Sequence, residues 1–213
     1  MSIDVIVHTE FSKHKLLESD LAANPFQQVQ RWLDEVQAAN VSDWQAMSLA
    51  TATRDGRPSA RVVYLRGWDE RGFLFYTNYD SRKGQELANN PQAAAVLYWK
   101  EFERQVRIEG TVVRADDAES DAYFAGRPRE SCIGAWASAQ SQPLADRATL
   151  ERLTAEFESK FAGGPIPRPP NWGGFRIVPN SVEFWQGGIA RLHDRLIYRR
   201  SAEGVWQIER LFP

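Results

Sequence analysis

At 213 residues the chain is long enough to bury a real core and suits one sizeable domain. Its net charge of −2 excludes a general nucleic-acid binder, so any anion site must be local, and 43% hydrophobic with 25% charged residues is the balance of a soluble globular protein. The single cysteine, Cys132, excludes an internal disulfide and fits a reducing compartment. With no membrane-length apolar run and no secretory core in the polar start, the expectation is a cytoplasmic protein with no membrane or nucleic-acid partner.

Residues 1–24 mix charged and apolar side chains without a clear period and are expected to form a mobile lead; residues 25–213 are expected as one domain. From Pro25 to about Ala39, Phe26, Val29, Trp32, Leu33 and Val36 recur at helical spacing. Ala46–Thr53, Pro58–Gly67 and Gly72–Asn78 read as three strands, divided by the turn sequences Arg54-Asp55-Gly56-Arg57 and Asp69-Glu70-Arg71-Gly72. A short helix follows from Ser81, then strands near Ala93–Trp99 and Glu103–Arg114. Residues 116–126, 128–140 and Asp146–Phe161 read as helices, and the Gly/Pro-rich run 163–170 as a stiff connector. Gly173–Val178, Val182–Gln186, Arg191–Arg199 and Val205–Arg210 complete the strands. Consecutive antiparallel strands with inserted helices predict a β-rich α+β fold, a closed or split β-barrel with peripheral helices.

Common catalytic signatures are missing. There is no GxGxxG after a strand, no P-loop and no GxSxG elbow, and the three histidines, His8, His14 and His193, lack metal-ligand spacing, so no metal site is expected. Cys132 has no obvious paired base and reads as a buried structural thiol.

Cationic residues stand at telling places instead. Ser81 is placed to cap a helix whose first residues, Arg82 and Lys83, sit where the helix dipole disfavours cations, unless a phosphate binds the free N–H groups there. A surface basic pair is the plainer alternative. Arg61 and Arg66 bracket an apolar strand and by alternation lie on opposite faces. Tyr123, Arg127 and Ser131 are spaced four apart, but Pro128 interrupts the helix, so they converge only at a helix junction. Their phenol, guanidinium and hydroxyl suit a phosphate dianion. Gln105, Gln140 and Ser141 add neutral donors. In Phe184–Arg195, an extended backbone would project Arg191, His193 and Arg195 from one face, with Gly187 and Gly188 allowing close approach of a bulky ligand. A solvated strand face remains the alternative.

The segments RVVYLRGWDERGFLFYTNYDSRKGQEL, ERQVRIEG, YFAGRPRES, IGAWAS, QS, WGGFRI, EFWQGG, RLHDR and the closing ERLFP run in order through the chain. Together they resemble pyridoxine/pyridoxamine 5′-phosphate oxidase, of the FMN-binding split-barrel superfamily, over Pro25 to Pro213. The resemblance implies a homodimer with FMN at its interface. It implies oxidation of pyridoxamine 5′-phosphate and pyridoxine 5′-phosphate to pyridoxal 5′-phosphate, with O2 as acceptor and H2O2 as product. By position it assigns Arg61, Val62, Val63, Tyr64, Leu65, Arg66, Tyr76, Thr77, Arg82, Lys83, Gln105, Gln140, Ser141, Trp185 and Arg195 to FMN. Arg66, Tyr123, Arg127 and Ser131 fall to the substrate phosphate, and the catalytic candidates Arg191 and His193 to the substrate ring. Arg191 would hold and polarise the substrate, His193 would orient it or assist proton removal, and Arg195 is one source of positive charge for the reduced flavin.

Two departures stand out. The family commonly has lysine where this chain has Arg66, and where many members carry an Arg-x-x-Tyr element in the lead that folds over the substrate, this chain has His8-Thr9-Glu10-Phe11. Two other readings fit the same residues: a split-barrel flavin oxidase of the phenazine-biosynthesis type, or a non-catalytic FMN or pyridoxal-phosphate binding module.

Overall fold

The computed structural model describes residues 14–213; the divergent His8–Phe11 segment and most of the expected lid lie outside them. Five α-helices accompany a nine-stranded, mostly antiparallel sheet. In chain order the elements are α1 (Pro25–Ala38), β1 (Ala46–Ala52), β2 (Pro58–Tyr64), β3 (Gly67–Asp69), β4 (Gly72–Asn78), α2 (Arg82–Asn89), β5 (Gln92–Trp99) and β6 (Arg104–Arg114). Then come α3 (Asp117–Ala125), α4 (Arg129–Ala137), α5 (Arg147–Lys160), β7 (Trp172–Gln186), β8 (Asp194–Arg200) and β9 (Trp206–Leu211). The strand order is β2-β1-β5-β6-β7-β4-β3, with β8 paired to β7 and β9 to β8. This is the expected split-barrel fold.

Two compact units share the chain. One comprises residues up to 48, 94–109 and 179–213; the other comprises 49–93 and 110–178. In the first, the apolar stripe of α1 is buried as its periodicity requires, with Trp32 edge-on to Phe184 at 5.0 Å and Phe184 edge-on to Tyr198. Asn24 caps α1 by accepting the Gln27 N–H, and Pro25 takes the first helical position, where its missing N–H costs nothing. In the second unit, Phe73, Phe75, Phe175 and Ile177 are buried where β4 pairs with β7.

Three local expectations are corrected. The strand proposed for Pro58–Gly67 ends at Tyr64; the Arg66 N–H instead donates to Leu74 O at 2.8 Å, and a short β3 forms the hairpin with β4. The two strands proposed around Pro179 are one, β7. Its register is with β4 through Ile177 and with β8 from Ser181, so Pro179 falls between these two pairings and its missing N–H is tolerated. Finally, Arg191 is not in a strand. Residues 189–191 form a tight helical turn, with Ala190 (φ 54°) and Arg191 (φ 63°) left-handed, and β8 starts at Asp194. The single extended face joining Arg191, His193 and Arg195 does not exist.

Candidate active site

A cavity of about 490 Å³ opens in the second unit. It is lined by Arg61, Val62, Val63, Tyr64 and Arg66 from β2 and its end, and by Tyr76, Thr77 and Lys83 from β4 and α2. Tyr123, Arg127, Pro128 and Ser131 line it from the α3–α4 junction, with Gln140 and Trp172. Four of these residues are cationic and none is acidic, so the cavity attracts anions. Arg61 and Arg66 meet here despite their sequence alternation, because β2 stops before Arg66.

Ser81 caps α2, its Oγ accepting from Gly84 N at 3.3 Å. Gly84 is required: a Cβ there would lie 2.1 Å from Tyr79 O. The two cations that follow Ser81 separate. Lys83 is 8% exposed and its Nζ donates to Gln140 Oε1 (2.7 Å), Thr77 Oγ1 (3.1 Å) and Ser81 Oγ (3.4 Å). No described carboxylate pairs with it, and burial, then the charge of Arg61, pulls its pKa down to about 8. Arg82 instead lies at the surface against Glu86.

Glu86, unnoticed in the sequence reading, is the hub of this wall. Its carboxylate accepts from Thr51 Oγ1 (2.5 Å), Ser59 Oγ (2.6 Å), Arg82 Nε (2.9 Å) and Arg61 (3.4 Å). Burial alone would raise its pKa, but the hydrogen bonds from Ser59, Thr51 and Arg82 outweigh it and hold it at about 2. The remaining donors of Arg61 go to Leu49 O, Thr51 Oγ1 and Ser59 Oγ.

At the α3–α4 junction the Tyr123, Arg127 and Ser131 set does converge, as a helix interrupted at Pro128 requires. Tyr76 and Tyr123 stack at 3.8 Å, and the Tyr76 ring is parallel to that of Trp172. The Arg127 guanidinium lies over the Trp172 ring at 4.6 Å, and its buried Nη1 has no hydrogen-bond partner among the described residues. An orphaned guanidinium nitrogen and a buried, acid-free lysine in one cavity fit phosphate-bearing ligands.

Eight assigned residues do not line this cavity. Leu65 is fully buried, so only its backbone is available, and Arg82 is turned to Glu86. Ser141 is left-handed (φ 74°) and lines a separate depression beside α5. Gln105, Trp185, Arg191, His193 and Arg195 belong to the first unit. There Trp185 is the β7 partner of Arg195 on β8. Arg195 is forked onto the buried Glu183 (2.7 and 3.0 Å) and donates to Phe212 O, and its pKa is raised by the Glu183 hydrogen bond. His193 Nδ1 accepts the Gly188 N–H at 3.1 Å, so the neutral ring carries its proton on Nε2. Burial, then the charge of Arg191, lowers its pKa. His193 also lines an apolar pocket of about 380 Å³ with Leu192 and the C-terminal Arg210–Pro213. The closing Arg210 binds Glu18, Asp194 and Leu16 O, fastening residues 16–18 to this unit.

Glu86 stands four residues after Arg82 on one helix, a spacing that marks an ion pair from sequence alone. Glu183 and Trp172 carried no comparable signal.

A split β-barrel bearing a basic, acid-free cavity of this kind defines the class of FMN-binding split-barrel oxidoreductases. Residues 33–161 match the family described as pyridoxamine 5′-phosphate oxidase, and 172–213 match the pyridoxine 5′-phosphate oxidase C-terminal dimerisation region. A pyridoxine/pyridoxamine 5′-phosphate oxidase of Rubrobacter xylanophilus is 54% identical over 204 residues, covering 96% of this chain and 94% of the relative. The solved structure of PhzG from Burkholderia lata 383 in complex with tetrahydrophenazine-1-carboxylic acid has TM-score 0.87 and 38% identity, covering 93% of this chain and 98% of that one. A pyridoxamine 5′-phosphate oxidase-related, FMN-binding protein of Nostoc punctiforme shares the fold at TM-score 0.69 and 19% identity, covering 91% of this chain and 100% of that one. The chain belongs to the pyridoxine/pyridoxamine 5′-phosphate oxidase family, and FMN is its cofactor. Its dimerisation region supports a homodimer.

Proposed function

We propose that the protein oxidises pyridoxamine 5′-phosphate and pyridoxine 5′-phosphate to pyridoxal 5′-phosphate. The amine consumes O2 and water and yields ammonia and H2O2; the alcohol consumes O2 and yields H2O2. The observation that carries this reading is the orphaned Nη1 of Arg127 beside Tyr123 and Ser131, a donor set for a second phosphate besides that of FMN. Arg66 adds charge in the same cavity, and its planar fork suits a phosphate bidentately.

Lys83 and Thr77, with Arg61 held in place by Glu86, would bind the FMN phosphate. FMN, when bound, supplies the two-electron redox chemistry that no side chain offers. Arg191 would hold the substrate ring. His193 would orient it by donating from Nε2, because Nδ1 is engaged by Gly188 and the lowered pKa keeps the ring neutral near pH 7. A role in proton removal fits this arrangement less well. Arg195 also offers less charge to a flavin than its sequence position implies, since Glu183 neutralises it.

Gln105 apart, the residues of the first unit assigned to cofactor or ring lie within the matched dimerisation region and outside the cavity lining. That supports FMN at a homodimer interface, with this set reaching a shared site from the partner. The deciding assay incubates the yellow purified protein with each vitamin phosphate and follows aldehyde and peroxide. Turnover with either is expected. Bound FMN without turnover of either removes this reading. The similarity to PhzG favours, as second reading, a phenazine-type oxidase, which the same assay would reveal by turnover of a reduced phenazine carboxylate alone.

A further inference from the structure

We infer that Trp172 is a positioning residue for phosphate recognition: its indole face holds the Arg127 guanidinium while leaving the guanidinium N–H groups to an anion. This rests on the reading that Arg127 meets the substrate phosphate.

Several other arginines of the chain are held by acids. Arg61 is anchored to Glu86 and Arg195 is forked onto Glu183, while Arg176 donates from Nη2 to both carboxylate oxygens of Glu119 at 2.7 and 2.9 Å. A carboxylate takes two N–H groups of the fork and cancels its charge. Arg127 is held differently. It makes no ion pair with any described residue, and its carbon Cζ lies 4.6 Å from the Trp172 centroid and 5.4 Å from that of Phe124. An aromatic face attracts a cation through its quadrupole and consumes none of its in-plane donors. The buried Nη1 without a partner is what such a seat leaves available.

The seat is itself fixed. Trp172 is 7% exposed, its backbone pairs with Asn78 of β4, and its ring is parallel to Tyr76 at 5.5 Å. Its carbonyl accepts from Arg168 Nη1 at 2.6 Å, and Arg168 is in turn held by Asp117 (2.7 Å) and Asp121 (2.6 Å) on α3. The proline-rich connector therefore ends in a clamp that sets the indole plane, and the indole sets the guanidinium.

The test uses FMN-loaded Trp172→Phe and Trp172→Leu, assayed with pyridoxamine 5′-phosphate and with unphosphorylated pyridoxamine, beside Arg127→Ala. For Trp172→Leu, KM for the phosphorylated substrate is expected to rise about 3- to 30-fold, the range of a desolvated cation–π contact, with Phe between wild type and Leu. The unphosphorylated substrate should be little changed, and FMN content unaltered. Site-specific incorporation of fluorinated tryptophans at 172 weakens the ring's negative face with little change of shape, and KM should climb with each added fluorine. That series decides the matter even where Leu impairs folding. Equal losses with both substrates, or no response to fluorination, overturn the inference while Arg127→Ala still raises KM. An Arg127→Ala enzyme with unchanged KM overturns the underlying reading instead.

Discussion

In the cavity between β2 and the α3–α4 junction, two of the cations are held by neutral groups, Lys83 by an amide and two hydroxyls and Arg127 by aromatic faces, while Arg61 beside them is anchored to Glu86. Along β7 and β8 the reverse holds, and Arg195 is locked to the buried Glu183, which also takes Arg107. The two regions are comparably rich in arginine, yet they differ in what their charge is available for. An arginine paired to a carboxylate is a rigid, nearly neutral strut; one seated on a ring stays a charge with donors to give. Counting cationic residues therefore says less about an anion site than asking what holds each one.

The largest expected effect tests whether the two regions serve one catalytic centre across a dimer. Arg127→Ala and Arg191→Ala should each abolish most turnover, since truncating one member of a desolvated charge contact costs about 2–5 kcal/mol. Co-refolding the two inactive variants should then restore about a quarter of wild-type activity, because half of the dimers are mixed and each holds one intact centre. No recovery on mixing would place Arg127 and Arg191 in a centre built by one chain.

Next in size is Glu86. Glu86→Ala leaves Arg61, Thr51 and Ser59 without their shared acceptor and should cost about 3–5 kcal/mol of stability, read from denaturant unfolding of the FMN-free protein. Glu86→Gln keeps an acceptor and should lose less. A comparison arginine on the cavity side behaves otherwise: Arg127→Met removes a charge that no acid balances, and stability should hardly fall. If Arg127→Met proved as destabilising as Glu86→Ala, the contrast between struts and available charges would collapse.

Lys83 gives a smaller, pH-dependent effect. Its pKa in the folded FMN-free protein is about 8, below the ordinary lysine value of 10.5, so between these values the unfolded chain binds more protons. Stability of the FMN-free protein should therefore rise as pH climbs from about 8 towards 10.5, where the folded form no longer carries the buried charge. FMN affinity should move oppositely and weaken above about pH 8, as the cavity loses a cation. The groups facing Lys83 are Arg61, whose charge helps to lower the lysine's pKa, and the neutral Thr77, Ser81 and Gln140. Fluorescence titration of FMN against pH should show this trend in the wild type and lose it in Lys83→Met.

Most of this architecture was legible in the sequence because its signals were local. The period of α1, the Ser81 cap and the turn residues before Gly72 each reproduce in the structure, since a cap or a hairpin is decided by a few neighbouring residues. Convergence of Tyr123, Arg127 and Ser131 was readable for the same reason, once Pro128 was taken as a break. What could not be read were long-range partners: Glu183 locks Arg195 from a neighbouring strand, and Trp172 reaches Arg127 across 45 positions of chain. Pro179 misled because proline usually ends a strand; here it falls between the β4 and β8 pairings, a fact of topology rather than of sequence.

The turn at 188–192 offers the smallest effect and the finest test of the comparison, because here strain rather than an acid or a ring places the arginine. Ala190 and Arg191 are both left-handed, which costs an L-residue about 1–2 kcal/mol each. Gly188 is needed for space, since a Cβ would lie 2.2 Å from Leu192 O. Gly188→Ala should thus open the turn and displace His193 from the Gly188 N–H. Ala190→Gly does the opposite: it relieves the backbone and should leave stability unchanged or raised by about 1 kcal/mol or less, the glycine's extra chain entropy offsetting part of the gain. If the strain serves to aim Arg191, kcat/KM should nonetheless fall, since the loosened turn samples other directions. A variant both more stable and as active as wild type would show that Arg191 is aimed by its contacts, and that left-handed backbone here is only the shortest way from β7 to β8.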